Sequence, residues 1–375
     1  MFPDPALTPA AAREIIALAQ QSLVAATGEG TRSLERALQA ALRRCIDSDG
    51  DLAGLIAAAP SVDVARQVWR QLDLVAAAVT NDATLTAHIF AIPLVIVAGQ
   101  EGERVDAAIS GTLADPAALV GVLREHGALR GNRTFALADS LVQADALDIG
   151  RLPQILRWQR LPDTAAESTQ MGLRGLAPSP IRVSAGREGV HLRFLVGTAL
   201  AHSGVDLFGD VEVGAWGVPF AQVLSRTLGA GRIAVLALPR APQRPLPAVA
   251  AGRAAQREIS AQIFASNALR RLRSTVGEPV AVISAHRAAD AVGGGELRVS
   301  LSSVFEPREA EGFRCPLGPL DRAADVGAML IELLRDCRVA DIRVLSGVHP
   351  DRDAESGAPL LFKPATIPPE AAPPH

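Results

Sequence analysis

The sequence predicts an α/β or α+β protein: a helical N-terminal region followed by a mixed β-sheet domain flanked by helices. Three observations carry this. Between residues 8 and 80, apolar residues recur at the three- and four-residue spacing of amphipathic helices. From residue 181 onward, short β-rich runs alternate with helical stretches. The segment between, 85 to 165, mixes the two periods. The organisation that follows is a helical region over 1–82, a mixed α/β segment over 83–165, a mixed-sheet α/β domain over 181–363 and a mobile Pro/Ala-rich tail over 364–375.

The first helix is capped by Thr8, with Pro9 at its first position and Ile15, Ile16, Ala19 and Leu23 on one face. Gly28-Glu29-Gly30 breaks the chain. The clearest period then runs through Leu34, Ala37, Leu38, Ala41, Leu42, Cys45 and Ile46. A short piece from Leu52 ends at Pro60, and Ser61 caps a helix carrying Ala65, Val68, Leu72, Val75 and Val79. Short connections between such helices suit a bundle or a layer over a sheet.

Leu85 to Val97 is β-rich, but Pro93 removes a ladder donor and predicts an edge strand or a bulge. Asp115-Pro116 opens a helix with Leu119, Val120 and Leu123 that closes at Gly127. A further helix is expected from Asp139 to Leu147, a short apolar turn at Trp158, and a linker from Pro162 to Pro180. Ile181 to Val183 and Val190 to Val196 flank Gly186-Arg187-Glu188-Gly189 and read as a hairpin. Next come a helix from Pro219 to Leu228, a strand from Ile233 to Leu238, a proline-rich connector and a long helix from about Gly252 to Thr275. Strands follow at Val280 to Ser284 and Leu297 to Leu301. Asp321 caps a helix with Val326, Leu330 and Leu334; strands at Ile342 to Leu345 and near Leu360 to Phe362 close the domain.

Composition sets limits on function. The chain has 375 residues, of which 49% are apolar, 21% charged and 3% aromatic, with a formal charge of −3. That excludes a disordered chain, a disulfide-stapled mini-protein and a protein that binds nucleic acid by charge alone. The longest apolar stretch, Ala87 to Ala98, is far short of the ~20 residues of a membrane helix. No basic and apolar leader is seen at Met1-Phe2-Pro3-Asp4-Pro5. The three cysteines, Cys45, Cys315 and Cys337, have neither disulfide nor zinc spacing and fit a reducing cytoplasm. Cys315, in Phe313-Arg314-Cys315-Pro316, is expected in a loop and accessible. The scarcity of lysine beside arginine reads as a GC-rich, bacterial coding sequence.

Candidate chemistry is sparse. His202, Asp206 and Asp210 stand four residues apart, a spacing that would put them on one face of a helix and allow a divalent metal. Gly204 and Gly209 weaken that helix, and a polar loop is the ordinary alternative. His191 and Arg193 share a strand face and would lie beside such a site. His349, Asp351 and Asp353 alternate in a loop that could wrap a hard cation through oxygen, against a solvated acidic hairpin loop. Ser284-Ala285-His286, with Asp290 nearby, holds triad residue types. Strand geometry puts Ser284 and His286 on one face without a nucleophile elbow, and His286 is expected at the surface. Asp47 to Asp51 resembles a calcium loop but lacks its glycine and its bidentate glutamate. Gly229-Ala230-Gly231 precedes a strand, the wrong order for a dinucleotide fingerprint. Arg253, Arg257, Arg270, Arg271 and Arg273 form an arginine-rich helix face, ordinarily solvated.

The expectation is a non-catalytic protein that works through protein–protein contacts, as an assembly, adaptor or scaffold component. It would bind a protein partner or itself, with no nucleic acid and no membrane, in the cytoplasm. The alternative is a metal-assisted hydrolase at His202, Asp206 and Asp210. No motif identifies a cofactor.

Overall fold

A computed structural model describes residues 9–78, 86–99, 107–130, 135–159, 178–183, 189–201, 207–228, 234–238, 240–275, 278–287, 295–303, 311–354 and 357–362. Its described helices and strands form an α/β or α+β protein whose N-terminal region is helical, followed by sheets flanked by helices. Two compact units divide the chain: residues 1–55 with 67–256, and residues 56–66 with 257–375.

The first unit opens with helices α1 (Pro9–Val24), α2 (Gly28–Asp47), α3 (Leu52–Ala57) and α4 (Val62–Ala78), of which the last two continue into the second unit. α2 starts at Gly28 and takes in the whole glycine break, because Thr27 caps it by accepting from Gly30 N at 3.1 Å. Between these helices runs a buried amide network. Gln67 Nε2 donates to Ser22 Oγ at 3.0 Å, and Gln71 Nε2 donates to Glu35 at 3.1 Å.

The sheet of this unit has the order β3-β5-β1-β6, built from β1 (Thr86–Ala98), β3 (Phe135–Val142), β5 (Gly189–Ala201) and β6 (Ala234–Ala237). β1 is a central strand, not the edge that Pro93 suggested. It pairs antiparallel with β5 along its whole length and with β6 only over Val95–Ala98. Ala91 exchanges both backbone hydrogen bonds with Gln243. Pro93, two residues on, therefore faces the same side, in the gap between that bridge and β6, where no donor is needed. Phe90, Ile92, Leu94 and Ile96 line one sheet face. Against it pack Leu119 and Leu123 of α5 (Pro116–Glu125) and Trp216, Phe220 and Leu224 of α7 (Val213–Thr227). Asp115 caps α5 as expected, accepting from Ala118 N at 3.1 Å.

Three further expectations change here. Asp139 to Leu147 is not a helix: β3 covers its first part and a 3-10 turn, Ala144–Ala146, follows. β4 (Ile181–Val183) does not form a hairpin with β5 but pairs with β2 (Ala107–Ile109). Helix α6 (Leu152–Gln159) takes the place of the turn expected at Trp158. The linker at 162–180 lies almost wholly outside the described residues, as do Gly229 to Gly231.

The second unit holds the end of helix α8 (Pro245–Thr275), then β7 (Pro279–Arg287), β8 (Gly295–Ser303), β9 (Glu311–Pro316), α9 (Ala323–Asp336) and β10 (Asp341–His349). The strand order is β10-β7-β8-β9, with β10 parallel to β7 and the rest antiparallel. Ala281, Ile283, Leu297, Val299 and Leu301 face Ala261, Ala265, Leu269 and Leu272 of α8 and Val326, Leu330 and Leu334 of α9. Cys315 is a buried member of this core on β9, not an accessible loop thiol. The cap of α9 is Arg322 rather than Asp321. Asp321 instead accepts from Gly318 N at 2.7 Å and grips Arg257 with both oxygens at 2.5 and 3.0 Å.

Candidate functional site

Alternation along β7 and β8 sends one set of side chains into the helix-covered core and the other to the opposite face of the sheet. The opposite face is polar. It carries Ser284, His286, Glu296, Arg298, Ser300 and Ser302, all at most 4% exposed. Register makes them neighbours: Ser284 stands opposite Arg298, and His286 opposite Glu296. Buried polar groups need partners, and three of the six, His286, Arg298 and Ser300, find theirs in the segment after β10. Pro350, Asp351, Leu360 and Phe362 of that segment meet the face.

Arg298 is the centre of the arrangement. Its Nε donates to Glu296 at 2.5 Å, and one terminal nitrogen donates to the carbonyls of Asp351 and Leu360 at 2.6 and 2.9 Å. The other terminal nitrogen meets the carboxylate of Asp351. Arg314, half exposed, reaches the second oxygen of Glu296 at 2.9 Å. Ser300 donates to the carbonyl of Phe362. An arginine fork matched to carbonyls and carboxylates is the strongest neutral-pH clamp that side chains offer.

His286 is 1% exposed, not at the surface as expected. Its Nδ1 lies 2.7 Å from the carbonyl of Pro350 and its Nε2 2.8 Å from Ser284 Oγ. A carbonyl only accepts, so Nδ1 carries the proton and Nε2 accepts from the serine. Burial pushes the pKa of His286 down, opposed by the bond to Pro350 and assisted by Arg298 and His349. That tautomer has the polarity of a serine–histidine pair in acyl transfer. Ser284 is 3% exposed, and His286 beside it is bonded to the segment that follows β10.

The ring of His349 lies 5.7 Å from that of His286 and 4.6 Å from that of Phe362. Its Nε2 is buried without a hydrogen-bond partner among the described residues. Asp351 is committed to Arg298, while Asp353 receives the backbone N–H of Gly357 at its carbonyl and donates its own to Ala358. The three alternating candidates are thus dispersed over an edge-on ring contact, an ion pair and a turn. Among the described residues, no group of three or more His, Cys, Asp or Glu is placed to hold a metal ion.

The other candidates, Asp290 excepted, belong to the first unit. His202, Asp206 and Asp290 lie outside the described residues, and Asp210 is exposed. Arg193 is buried and donates to the carbonyls of Ser179, Leu192 and Pro180 at 3.2, 2.8 and 3.2 Å. It anchors the approach to β4. Gly111, at φ +73, is needed there because a Cβ would stand 2.8 Å from Ser179 O. Burial and Arg193 together push the pKa of His191 down.

Sequence reasoning missed Glu296, Arg298 and Arg314. The alternation in Glu296-Leu297-Arg298-Val299-Ser300 reads as an ordinary half-buried strand with a solvated polar face, and the groups that cover that face come from more than 50 residues away. Comparison of the chain with protein-family models, with curated proteins and with solved structures gives no match.

Proposed function

We propose that this chain is a non-catalytic protein of a reducing, cytoplasmic compartment that acts through protein–protein contacts, as an assembly, adaptor or scaffold component. The observation that supports it is β10. This nine-residue strand ends the order β10-β7-β8-β9, with no partner on its outer side among the described residues. It exposes Val344 at 42% and Val348 at 64%. A free edge with apolar side chains is a template for an added strand from a partner. Three further facts are in keeping with the reading. Cys45, Cys315 and Cys337 are free thiols. Burial pushes Cys45 and Cys315 up to about 11, far from nucleophilic use. No described helix is long and apolar enough to cross a membrane.

The test is purification of the native chain beside a Val344→Lys, Val348→Lys variant. Both positions are exposed, so the variant should melt like the native chain. The native chain is expected to bring down a protein at stoichiometric level, and the variant to lose it. Purification of the native chain alone, or retention of the partner by the variant, ends this reading.

A further inference from the structure

The polar face of the second unit is covered in a repeating way, whatever the outer edge of β10 binds. Along β8, Arg298, Ser300 and Ser302 stand at alternate positions on that face, and all three are buried. Arg298 donates to the carbonyl of Leu360 at 2.9 Å, and Ser300 donates to the carbonyl of Phe362. Two residues along β8 thus correspond to two residues along the covering chain, and both runs advance in the same direction. Extended chains share a rise of about 3.3 Å per residue, so such a match can continue from one step to the next. Leu361, between the two bonded carbonyls, covers Gly312 of β9, which stands opposite Ser300.

Ser302 is the next member of the row. It is 1% exposed, and its Oγ has no hydrogen-bond partner among the described residues. A hydroxyl taken out of water without an acceptor is costly, and folded proteins rarely leave one so. The covering chain continues as Lys363-Pro364, beyond the described residues. One more step of the same match brings the carbonyl of Pro364 to Ser302.

The residue types there suit the place. A proline biases the residue before it, Lys363, toward extended backbone. Pro364 itself has no N–H, so its carbonyl is the one backbone group that needs a partner over the sheet. Val280 stands opposite Ser302 and Val282 opposite Ser300, on the same face and both buried. They offer apolar surface to a pyrrolidine ring.

We propose that the chain runs on past Phe362 along β8, and that Ser302 Oγ donates to the carbonyl of Pro364. The occupant of this end of the polar face is then the chain's own continuation. The chain after β10 closes the face from His286, bonded to Pro350, to Ser302.

The test uses full-length variants. Ser302→Ala removes a hydrogen bond if the proposal holds and an orphaned hydroxyl if it does not, and the two have opposite signs. The expected result is a lower urea midpoint, with the folding equilibrium constant reduced about fivefold. An unchanged or raised midpoint overturns the proposal. A second measurement locates the acceptor. Ser302→Cys with Pro364→Cys is expected to close a disulfide within one chain under mild oxidation, as Gly312→Cys with Leu361→Cys does at the neighbouring contact. Ser302→Cys with Ala372→Cys should stay open. Closure at 312–361 without closure at 302–364, or equal closure of 302 with 364 and with 372, overturns the proposal as well.

Discussion

Arg298 keeps a guanidinium at 0% exposure by giving its donors to Glu296, Asp351 and Leu360. Removing one member of a buried, hydrogen-bonded charge group leaves the others uncompensated, at a cost of about 3–5 kcal/mol. Arg298→Met is expected to lose that much stability in urea unfolding. Arg314→Ala, which removes a half-exposed partner of the same Glu296, should lose less than about 1 kcal/mol. Equal losses would show that burial of the ion pair is not what matters. His286 gives the pH dependence. Its pKa is held below the ordinary 6.5 by burial, with Arg298 and His349 adding to the effect and Glu296 and Pro350 opposing it. The unfolded chain therefore binds the proton first as pH falls. Its stabilising neutral form is fully available above about 6.5, and stability declines as pH drops through and below that value. Thermal unfolding from about pH 7.5 to about 5.5 should show a fall in midpoint that is flatter in His286→Gln. The alternation of Ser284 and His286 was legible in the sequence. Their burial was not, because the covering carbonyl of Pro350 comes from 64 residues away.

Among the elements, those with unbroken local periodicity were readable. α2, with Leu38, Ala41, Leu42, Cys45 and Ile46 buried, and α5, with Asp115 at its cap, fall where spacing and capping put them. β3 was misread for a physical reason. Its register against β5 shifts between Leu137 and Leu141, so Ala138, Leu141 and Val142 are buried at i, i+3 and i+4, the spacing of a helix. β1 was misjudged because a proline was weighed without knowing which side of the strand lacks a partner. The pairing of β1 with β5 makes its own prediction. Phe90 stands directly across from Gly197, and a Cβ at that position would enter its ring. Gly197→Ala is expected to cost about 1–3 kcal/mol through forced displacement of Phe90, and a Phe90→Leu change should recover part of it. An alanine that melts with the native chain would mean that the sheet relaxes around the ring.

For the molecule as a whole, the two units matter more than the count of elements. Each has its own buried apolar cluster, one around Phe90, Trp216 and Phe220 and the other around Ile283, Leu301 and Leu330. The sequence hinted at this through its change of pattern, but membership could not be read from it. Residues 56–66 join the second unit from within the N-terminal helices, a pairing across more than 200 positions exemplified by Arg66 donating to Leu320 O at 2.7 Å. Two native thiols report on the units separately, since Cys45 is buried in the first and Cys315 in the second. A buried thiol held at about 11 reacts only when its surroundings open, so its labelling rate measures the free energy of that opening. Leu301 is fully buried, and Leu301→Ala should cost about 2–5 kcal/mol. If the units open independently, labelling of Cys315 rises roughly thirtyfold or more while that of Cys45 stays as in the native chain. Equal acceleration of both thiols would instead mean that a cavity in one core loosens the other, and that the chain unfolds as a single cooperative body.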